Sequence, residues 1–213
     1  MYVPDAFAEN RIEVLHRFMR EHAFAMLVTN AGDVAGGPQA SHLPMLLIGS
    51  RGKFGTLQMH FARPNEHWKA LADGKRSALA IFTGPHGYIS PAWYASPQAV
   101  PTWNYALVHA RGTPRMLRDD TELSEHLLAL VSEYESPHGH GWDVDRLPAE
   151  MFAKLRGAVV GFEMEITHLE GKWKLGQNRP RADREGAIAA LRRAGDADSL
   201  RLAQWMAAAL AEA

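Results

Sequence analysis

Residues 81–109 read IFTGPHGYISPAWYASPQAVPTWNYALVH, a stretch with two tryptophans, three tyrosines, two histidines and four prolines. An ordinary half-buried strand alternates apolar and polar residues, and a disordered loop is poor in aromatic residues, so the stretch fits neither description. Aromatic walls with a few polar groups, stiffened by prolines, are typical of a pocket for a planar heteroaromatic ligand. The alternative is a proline-bent hairpin whose aromatic side chains pack the core, and this stretch alone leaves both interpretations open.

The bulk composition limits the class of protein. The chain has 213 residues and 46% hydrophobic content, which is ample for one large domain with a real core. No apolar run approaches the ~20 residues that span a bilayer, and the N-terminus lacks a secretory pattern, so we expect a cytoplasmic protein without membrane association. The absence of cysteine excludes disulfides, thiolate catalysis and zinc–thiolate or iron–sulfur sites.

Charge argues against a protein built to coat nucleic acid, because the net charge is only -1. One basic run lies between Gly171 and Arg193. It fits either a solvated helix face or a pocket for an anion. Direct binding to nucleic acid is therefore expected to be weak.

The hydrophobic pattern predicts a mainly β protein with helices (α+β). Strands are predicted over 23–29, 39–48, 53–61, 77–83, 101–117 and 157–169, and helices over 9–22, 65–72, 119–134, 148–155, 183–193 and 199–212. Strands and helices do not alternate regularly, which argues against a doubly wound parallel sheet. About seven strands that must hide their edges predict a closed or partly closed antiparallel barrel. We predict a β domain over 1–180 and a helical annex over 181–213 packed on it.

The usual catalytic and metal-binding motifs are absent from the sequence. His138 and His140 are the closest histidine pair, but they lie in a glycine-rich loop over 136–141 without a third ligand at helical spacing, so we predict no metal site. The chain has no GxSxG elbow, no GxGxxG fingerprint and no P-loop. These absences argue against serine-hydrolase, Rossmann and NTPase chemistry.

Polar residues at strand ends indicate a possible phosphate site. Ser41-His42-Leu43-Pro44 closes a predicted strand, and Arg63 precedes a helix start at which Asn65 is the predicted cap. Free N–H groups and a guanidinium at such a start can hold a phosphate, although a simple cap beside an exposed arginine is the alternative. Together with the aromatic stretch, the pattern favours an aromatic cofactor that carries a phosphate.

Seven sequence blocks then occur in a characteristic order: MYVPDAF, SHLPMLL, HFARPNEHW, IFTGPHGYISPAWY, VPTWNYALVHARG, GAVVGFEMEI and LEGKWKLGQNR. This ordered set, over roughly residues 1–193, resembles the PaiB-like family, described as FMN-binding negative transcriptional regulators. The resemblance implies a split antiparallel β-barrel of the flavin-reductase and pyridoxamine-oxidase type. It also implies that FMN binds at the interface of a homodimer.

The resemblance implies cofactor contacts at Ser41, His42, Leu43, His60, Arg63, Asn65, Trp103, Asn104, Tyr105, Lys174, Gln177 and Arg179. Arg63, or Lys174 and Arg179 from either subunit, would bind the phosphate. Trp103 and Tyr105 would stack on the ring or wall it, with core packing as the alternative for each. The sequence departs from the family at Glu66, where proline is common, and at Gly176, where serine is common.

Several functions are compatible with these residues, since FMN would supply redox chemistry without a protein nucleophile. The first is an FMN-holding homodimer with an indirect negative effect on transcription. The second is an FMN-dependent oxidoreductase for a small or planar substrate. A direct DNA-binding repressor ranks last, because no helix-turn-helix pattern is apparent. A haem-binding protein on the same barrel would need an axial histidine such as His109 or His168.

Overall fold

The computed structural model describes residues 1–30, 37–135 and 142–212. The loop with His138 and His140 lies outside these residues. Within the described ranges, no helix has both the length and the apolar character needed to cross a membrane.

The described residues form ten strands and five α-helices. The strands are β1 (Ala8–Glu9), β2 (Phe24–Asn30), β3 (Pro38–Pro44), β4 (Leu46–Ile48), β5 (Thr56–Ala62), β6 (Ala78–Ile89), β7 (Thr102–Gly112), β8 (Arg115–Met116), β9 (Val159–Glu165) and β10 (His168–Lys174). The helices are α1 (Ile12–Glu21), α2 (Asp120–Glu135), α3 (Ala149–Gly157), α4 (Arg181–Ala194) and α5 (Ala197–Ala211). Short 3₁₀ helices lie at Asp5–Phe7, Glu66–Leu71, Pro91–Trp93 and Val144–Arg146.

The chain divides into two compact units. The first unit comprises Met1–Phe18, Phe82–His109 and Glu170–Ala213, and the second comprises Met19–Ile81 and Ala110–Leu169. The domain boundary that the sequence placed after residue 180 stays a prediction.

The second unit is built from antiparallel ladders. Strand β2 pairs on one side with β3 and on the other with the start of β6, so that Met26 lies opposite both His42 and Ile81. A second sheet has the order β4-β5-β9-β8, and its longest ladder joins β5 to β9. Alternating side chains of β5, among them Met59 and Phe61, are fully buried in the core.

In the first unit, helices pack against the ends of strands. Strand β1 pairs antiparallel with β10, and the sheet continues through β7 to β6. Helices α4 and α5 bury a cluster that consists of Ile89, Leu175, Ala187, Ile188, Leu191, Leu202, Ala203 and Met206. The ring of Phe18 lies 4.8 Å from that of Trp173 and 5.5 Å from that of Trp205, which places α1 against β10 and α5.

Four predicted strands have clearly different bounds in the structure. The strand over 39–48 is two strands, because the chain leaves β2 at Pro44 and β4 then pairs with β5. The strand predicted over 77–83 continues to Ile89. The ladder between β2 and β6 ends at Ile81. Pro85 lies beyond that ladder, so its missing N–H removes none of the ladder's hydrogen bonds.

The strand predicted over 101–117 ends at Gly112, and β8 follows as a separate two-residue strand. The strand predicted over 157–169 likewise divides into β9 and β10. Apolar periodicity continues across each break, so the pattern alone did not reveal the change of pairing partner.

Candidate functional site

A buried hydrogen-bond network surrounds Ser41 in the second unit. Ser41 Oγ lies 2.9 Å from His67 Nδ1 and accepts a hydrogen bond from Asn65 Nδ2 at 3.2 Å. His67 Nε2 lies 2.6 Å from Thr29 Oγ1, so hydroxyl groups engage both ring nitrogens. Burial lowers the pKa of His67, which favours the neutral ring. The network therefore ties the 3₁₀ helix Glu66–Leu71 to β2 and β3.

Asn65 is the cap that the sequence predicted. Its Oδ1 accepts a hydrogen bond from the backbone N–H of His67 at 3.1 Å. The element that it caps is a six-residue 3₁₀ helix rather than an α-helix. Because so short a helix sums few peptide dipoles, its start offers less to a phosphate than the sequence pattern indicated.

The guanidinium of Arg63 is engaged by backbone carbonyls. Its Nε donates to Gly157 O at 2.8 Å and its Nη2 donates to Val159 O at 3.1 Å. The edge of the guanidinium that can bind two oxygens at once is thus occupied by carbonyls at the end of α3 and the start of β9. A phosphate contact by Arg63 stays a prediction.

His42 and Leu43 point to opposite faces of β3. Leu43 is buried, like Ser41, whereas His42 is exposed and stacks on Phe24 with ring centroids 5.9 Å apart. This alternation follows from the two-residue period of a strand. The SHLP block therefore does not direct all of its side chains to one site.

His60 belongs to a histidine pair that joins β5 to α2. Its Nδ1 lies 3.1 Å from His126 Nε2. The side chain of His126 is almost completely buried, and its Nδ1 has no hydrogen-bond partner within the described residues. Burial, together with the nearby His60, lowers the pKa of His126 to about 4, and burial also lowers the pKa of His60.

An aromatic–lysine face, which consists of Tyr88, Trp103, Tyr105, Lys172 and Lys174, lies in the first unit. Trp103 is 54% exposed and Tyr88 is 47% exposed, and their rings meet edge to face at 6.2 Å. The ammonium groups of Lys172 and Lys174 lie 5.4 and 5.9 Å from the centroid of Tyr105. The face thus combines open aromatic surface with two cations.

Lys174 anchors this face to the start of β7. Its Nζ donates to Trp103 O at 2.8 Å and also to Thr102 Oγ1. Burial lowers its pKa, with a smaller contribution from the charge of Lys172.

The remaining predicted residues of the first unit do not share the aromatic–lysine face. Asn104 is buried on the other side of β7, where its Nδ2 donates to Met206 Sδ at 3.4 Å. Gln177 closes the turn after β10, since its Oε1 accepts from Leu175 N at 2.8 Å and its Nε2 donates to Trp173 O at 2.6 Å.

The guanidinium of Arg179 lies 5.1 Å from the centroid of the Tyr94 ring, in a cation–π contact.

Asn104 lies on the opposite face of β7 from its sequence neighbours Trp103 and Tyr105, because side chains alternate between the two faces of a strand.

The predicted cofactor contacts did not include five residues of these arrangements: Thr29, His67, Tyr88, His126 and Lys172. The sequence held a signal for two of them. Lys172 lies two residues before Lys174 and so shares its face of β10, and His67 follows the predicted cap Asn65 by two residues. Nothing local to Thr29 or His126 marked either of them. Across the described ranges, no three potential metal ligands lie close enough together to bind an ion.

Comparisons with known proteins support the family resemblance. A family model described as "Putative FMN-binding domain" matches residues 1–168. "Protease synthase and sporulation protein PAI 2" of Bacillus subtilis is 32% identical over 206 residues, which cover 97% of this chain and 96% of that protein.

Solved structures support the fold. The FAD and heme binding protein of Mycobacterium smegmatis aligns with a TM-score of 0.56 at 18% identity, over 85% of this chain and 78% of that chain. The flavocytochrome Anf3 of Azotobacter vinelandii aligns with a TM-score of 0.53 at 12% identity, over 78% and 69%. The predicted fold class, mainly antiparallel β with helices and of the split-barrel type, is confirmed.

The aromatic–lysine face fits the chemistry of FMN. Its aromatic rings suit the planar isoalloxazine system, and the ammonium group of Lys174 suits a phosphate that carries about -2 charge at neutral pH. The family model and the 32% identical relative show that the chain belongs to the PaiB-like family of FMN-binding domains, and FMN is its cofactor.

Proposed function

We propose that this protein is an FMN-holding homodimer that lowers transcription indirectly, without reading DNA itself. The observation that carries the proposal is the aromatic–lysine face, whose half-exposed tryptophan and tyrosine need a cover. A flavin ring and a second subunit would together supply that cover. The similarity to the protein named "Protease synthase and sporulation protein PAI 2" supports a regulatory role.

In this proposal the residues of the face hold the cofactor and the cofactor carries the redox chemistry. Tyr88, Trp103 and Tyr105 would flank the ring, and Lys174 and Arg179 would neutralise the phosphate. The flavin would supply electron or hydride transfer when bound. The contacts predicted for Ser41, His42, Leu43, His60, Arg63 and Asn65 stay predictions.

Direct DNA binding is expected to be weak because few cations of the basic run are available. Lys172 and Arg184 are buried, and Arg181 pairs with Glu185 at 2.8 Å. Since Lys174 and Arg179 are assigned to the cofactor phosphate, only Arg192 and Arg193 of the run are left. The protein should be titrated against a labelled fragment of its own promoter at about 150 mM salt with excess competitor DNA, since phosphate contacts are strongly salt-dependent. Competitor-resistant nanomolar binding would replace the indirect mechanism with direct repression.

The homodimer should give a mass twice that of the 23.6 kDa chain in light scattering. Replacing Trp103 by aspartate should shift the protein towards the monomer, because a carboxylate would be buried at the interface. Phe24→Asp is the matched control, since Phe24 is 71% exposed and is not one of the residues of the aromatic–lysine face. A monomeric mass for the flavin-loaded wild-type protein would contradict the proposal.

An FMN-dependent oxidoreductase is the second candidate. The open ring surface of Tyr88 and Trp103 favours it, because a small planar substrate could bind there beside the flavin. Aerobic addition of NADH or NADPH separates the two candidates. Repeated bleaching and recovery of the flavin absorbance indicates turnover, and an unchanged spectrum supports the holding role.

A further inference from the structure

A cavity of about 330 Å³ lies between α1, α5 and the end of β10, and all of its lining residues belong to the first unit. Val14 and Arg17 line it from α1, since residues three positions apart share a face of a helix. Trp205 and Ala208 line it from α5 at the same spacing. Because protein interiors leave few voids larger than a water molecule, a cavity of this volume is in the size range of small-molecule sites.

The cavity lies on the opposite side of β10 from the aromatic–lysine face. Trp173 lines the cavity and stands between Lys172 and Lys174 in the strand. Since side chains alternate between the two faces of a strand, Trp173 points away from both lysines. A ligand in the cavity would therefore leave the aromatic–lysine face free for the flavin.

Indole rings form much of the apolar surface of the cavity. The rings of Trp173 and Trp205 have centroids 5.7 Å apart and planes inclined at 59°, and both residues are only partly buried. Val14, Leu175 and Ala209 extend this apolar surface. Flat apolar walls of this kind favour a planar aromatic ring over a flexible aliphatic chain.

The cavity also has one available guanidinium. Arg11 Nε and Nη2 donate to the carboxylate of Glu9 at 3.0 and 2.6 Å, and Nη2 lies 3.6 Å from a carboxylate oxygen of Glu212. Arg17, by contrast, forms no hydrogen bond or ion pair with any residue in the described part of the chain. Its donors can therefore bind a carboxylate, and the amide of Gln204, which also lines the cavity, can donate a further hydrogen bond.

We propose that this cavity binds a planar aromatic monocarboxylate, with the ring against Trp173 and Trp205 and the carboxylate on Arg17. One guanidinium matches one carboxylate, because the two groups form a pair of parallel hydrogen bonds. A second negative charge would find Arg11 already engaged by its own carboxylates. The site is separate from the proposed flavin face and does not depend on it.

Calorimetric titration of the flavin-loaded protein with naphthoate should show saturable binding. The affinity should be about 10- to 100-fold higher than that for naphthamide, which has the same ring and no charge. Cyclohexanecarboxylate should also bind more weakly than naphthoate, because its saturated ring is not flat. Equal affinities for naphthoate and naphthamide, or no saturable binding of naphthoate, would overturn the proposal.

Arg17→Met tests the charged contact. This variant should bind naphthoate about 10- to 100-fold more weakly than the wild type and should bind naphthamide equally well. Arg20→Met is the matched control, since Arg20 is exposed on the same helix and does not line the cavity. A preference for naphthoate that survives in Arg17→Met would contradict the proposal.

Ala208→Phe tests the cavity itself without altering any charge. Ala208 is exposed to the cavity, so the larger ring should occupy the space and weaken naphthoate and naphthamide alike, while the flavin content stays that of the wild type. Unchanged naphthoate affinity in this variant would place the ligand elsewhere. Release of FMN fluorescence on addition of naphthoate to the wild type would place it on the aromatic–lysine face, and either result would overturn the proposal.

Discussion

FMN binding is expected to weaken by roughly 10- to 150-fold when Lys174 is replaced by methionine, whereas riboflavin binding should change little. Methionine keeps an unbranched apolar stem but cannot donate to a phosphate or neutralise its charge. Lys174 lies on the aromatic–lysine face with its ammonium group near the Tyr105 ring. Fluorescence titration of the flavin-free variant with FMN and with riboflavin measures the two affinities separately.

Lys172→Met is the matched control for this experiment. Lys172 lies on the same face of β10, but its Nζ donates to Tyr2 O at 3.0 Å and the residue is buried. Its replacement should leave the ratio of FMN to riboflavin affinity unchanged. If Lys174→Met weakened both ligands equally, Lys174 would instead act by holding the backbone at Trp103.

Acid should destabilise the protein by about 2 kcal/mol between pH 7 and pH 5 through His126. The pKa of this histidine falls from the ordinary 6.5 to about 4 in the folded protein. The unfolded chain therefore binds a proton that the folded protein rejects. The stabilisation is complete above pH 6.5 and is lost as the pH falls towards 4. His60, whose pKa burial also lowers, should add to the loss in the same direction.

Urea unfolding at pH 7 and pH 5 measures this effect. His126→Phe removes the titrating group and keeps an aromatic ring, so its free energy of unfolding should depend less on pH by about 2 kcal/mol. His42→Phe is the control, because His42 is exposed on β3 and stacks on Phe24. An unchanged pH dependence in His126→Phe would show that the buried pair does not control acid stability.

The sequence by itself determined the features that depend on near neighbours or on ordered blocks. Two-residue alternation predicted strands, and a polar residue before Glu66 predicted the cap Asn65, because both depend on residues within a few positions. The blocks from SHLPMLL to LEGKWKLGQNR identified the family and its cofactor. Strand alternation could also have separated Asn104 from Trp103 and Tyr105 before the structure was known.

The tertiary structure alone decided which polar groups meet and which charges are buried. Ser41 and His67 lie 26 positions apart, and His60 and His126 lie 66 apart, so no local pattern could pair them. The break after Pro44 depended on β5, which offered β4 a different partner from that of β3. Arg184 resembled the other cations of its basic run until the packing of α4 buried it. The hydrogen-bond partner of a buried polar group and the apolar side chains that bury it belong to segments that are distant in the sequence. A single sequence does not show which of these segments will be adjacent in the fold.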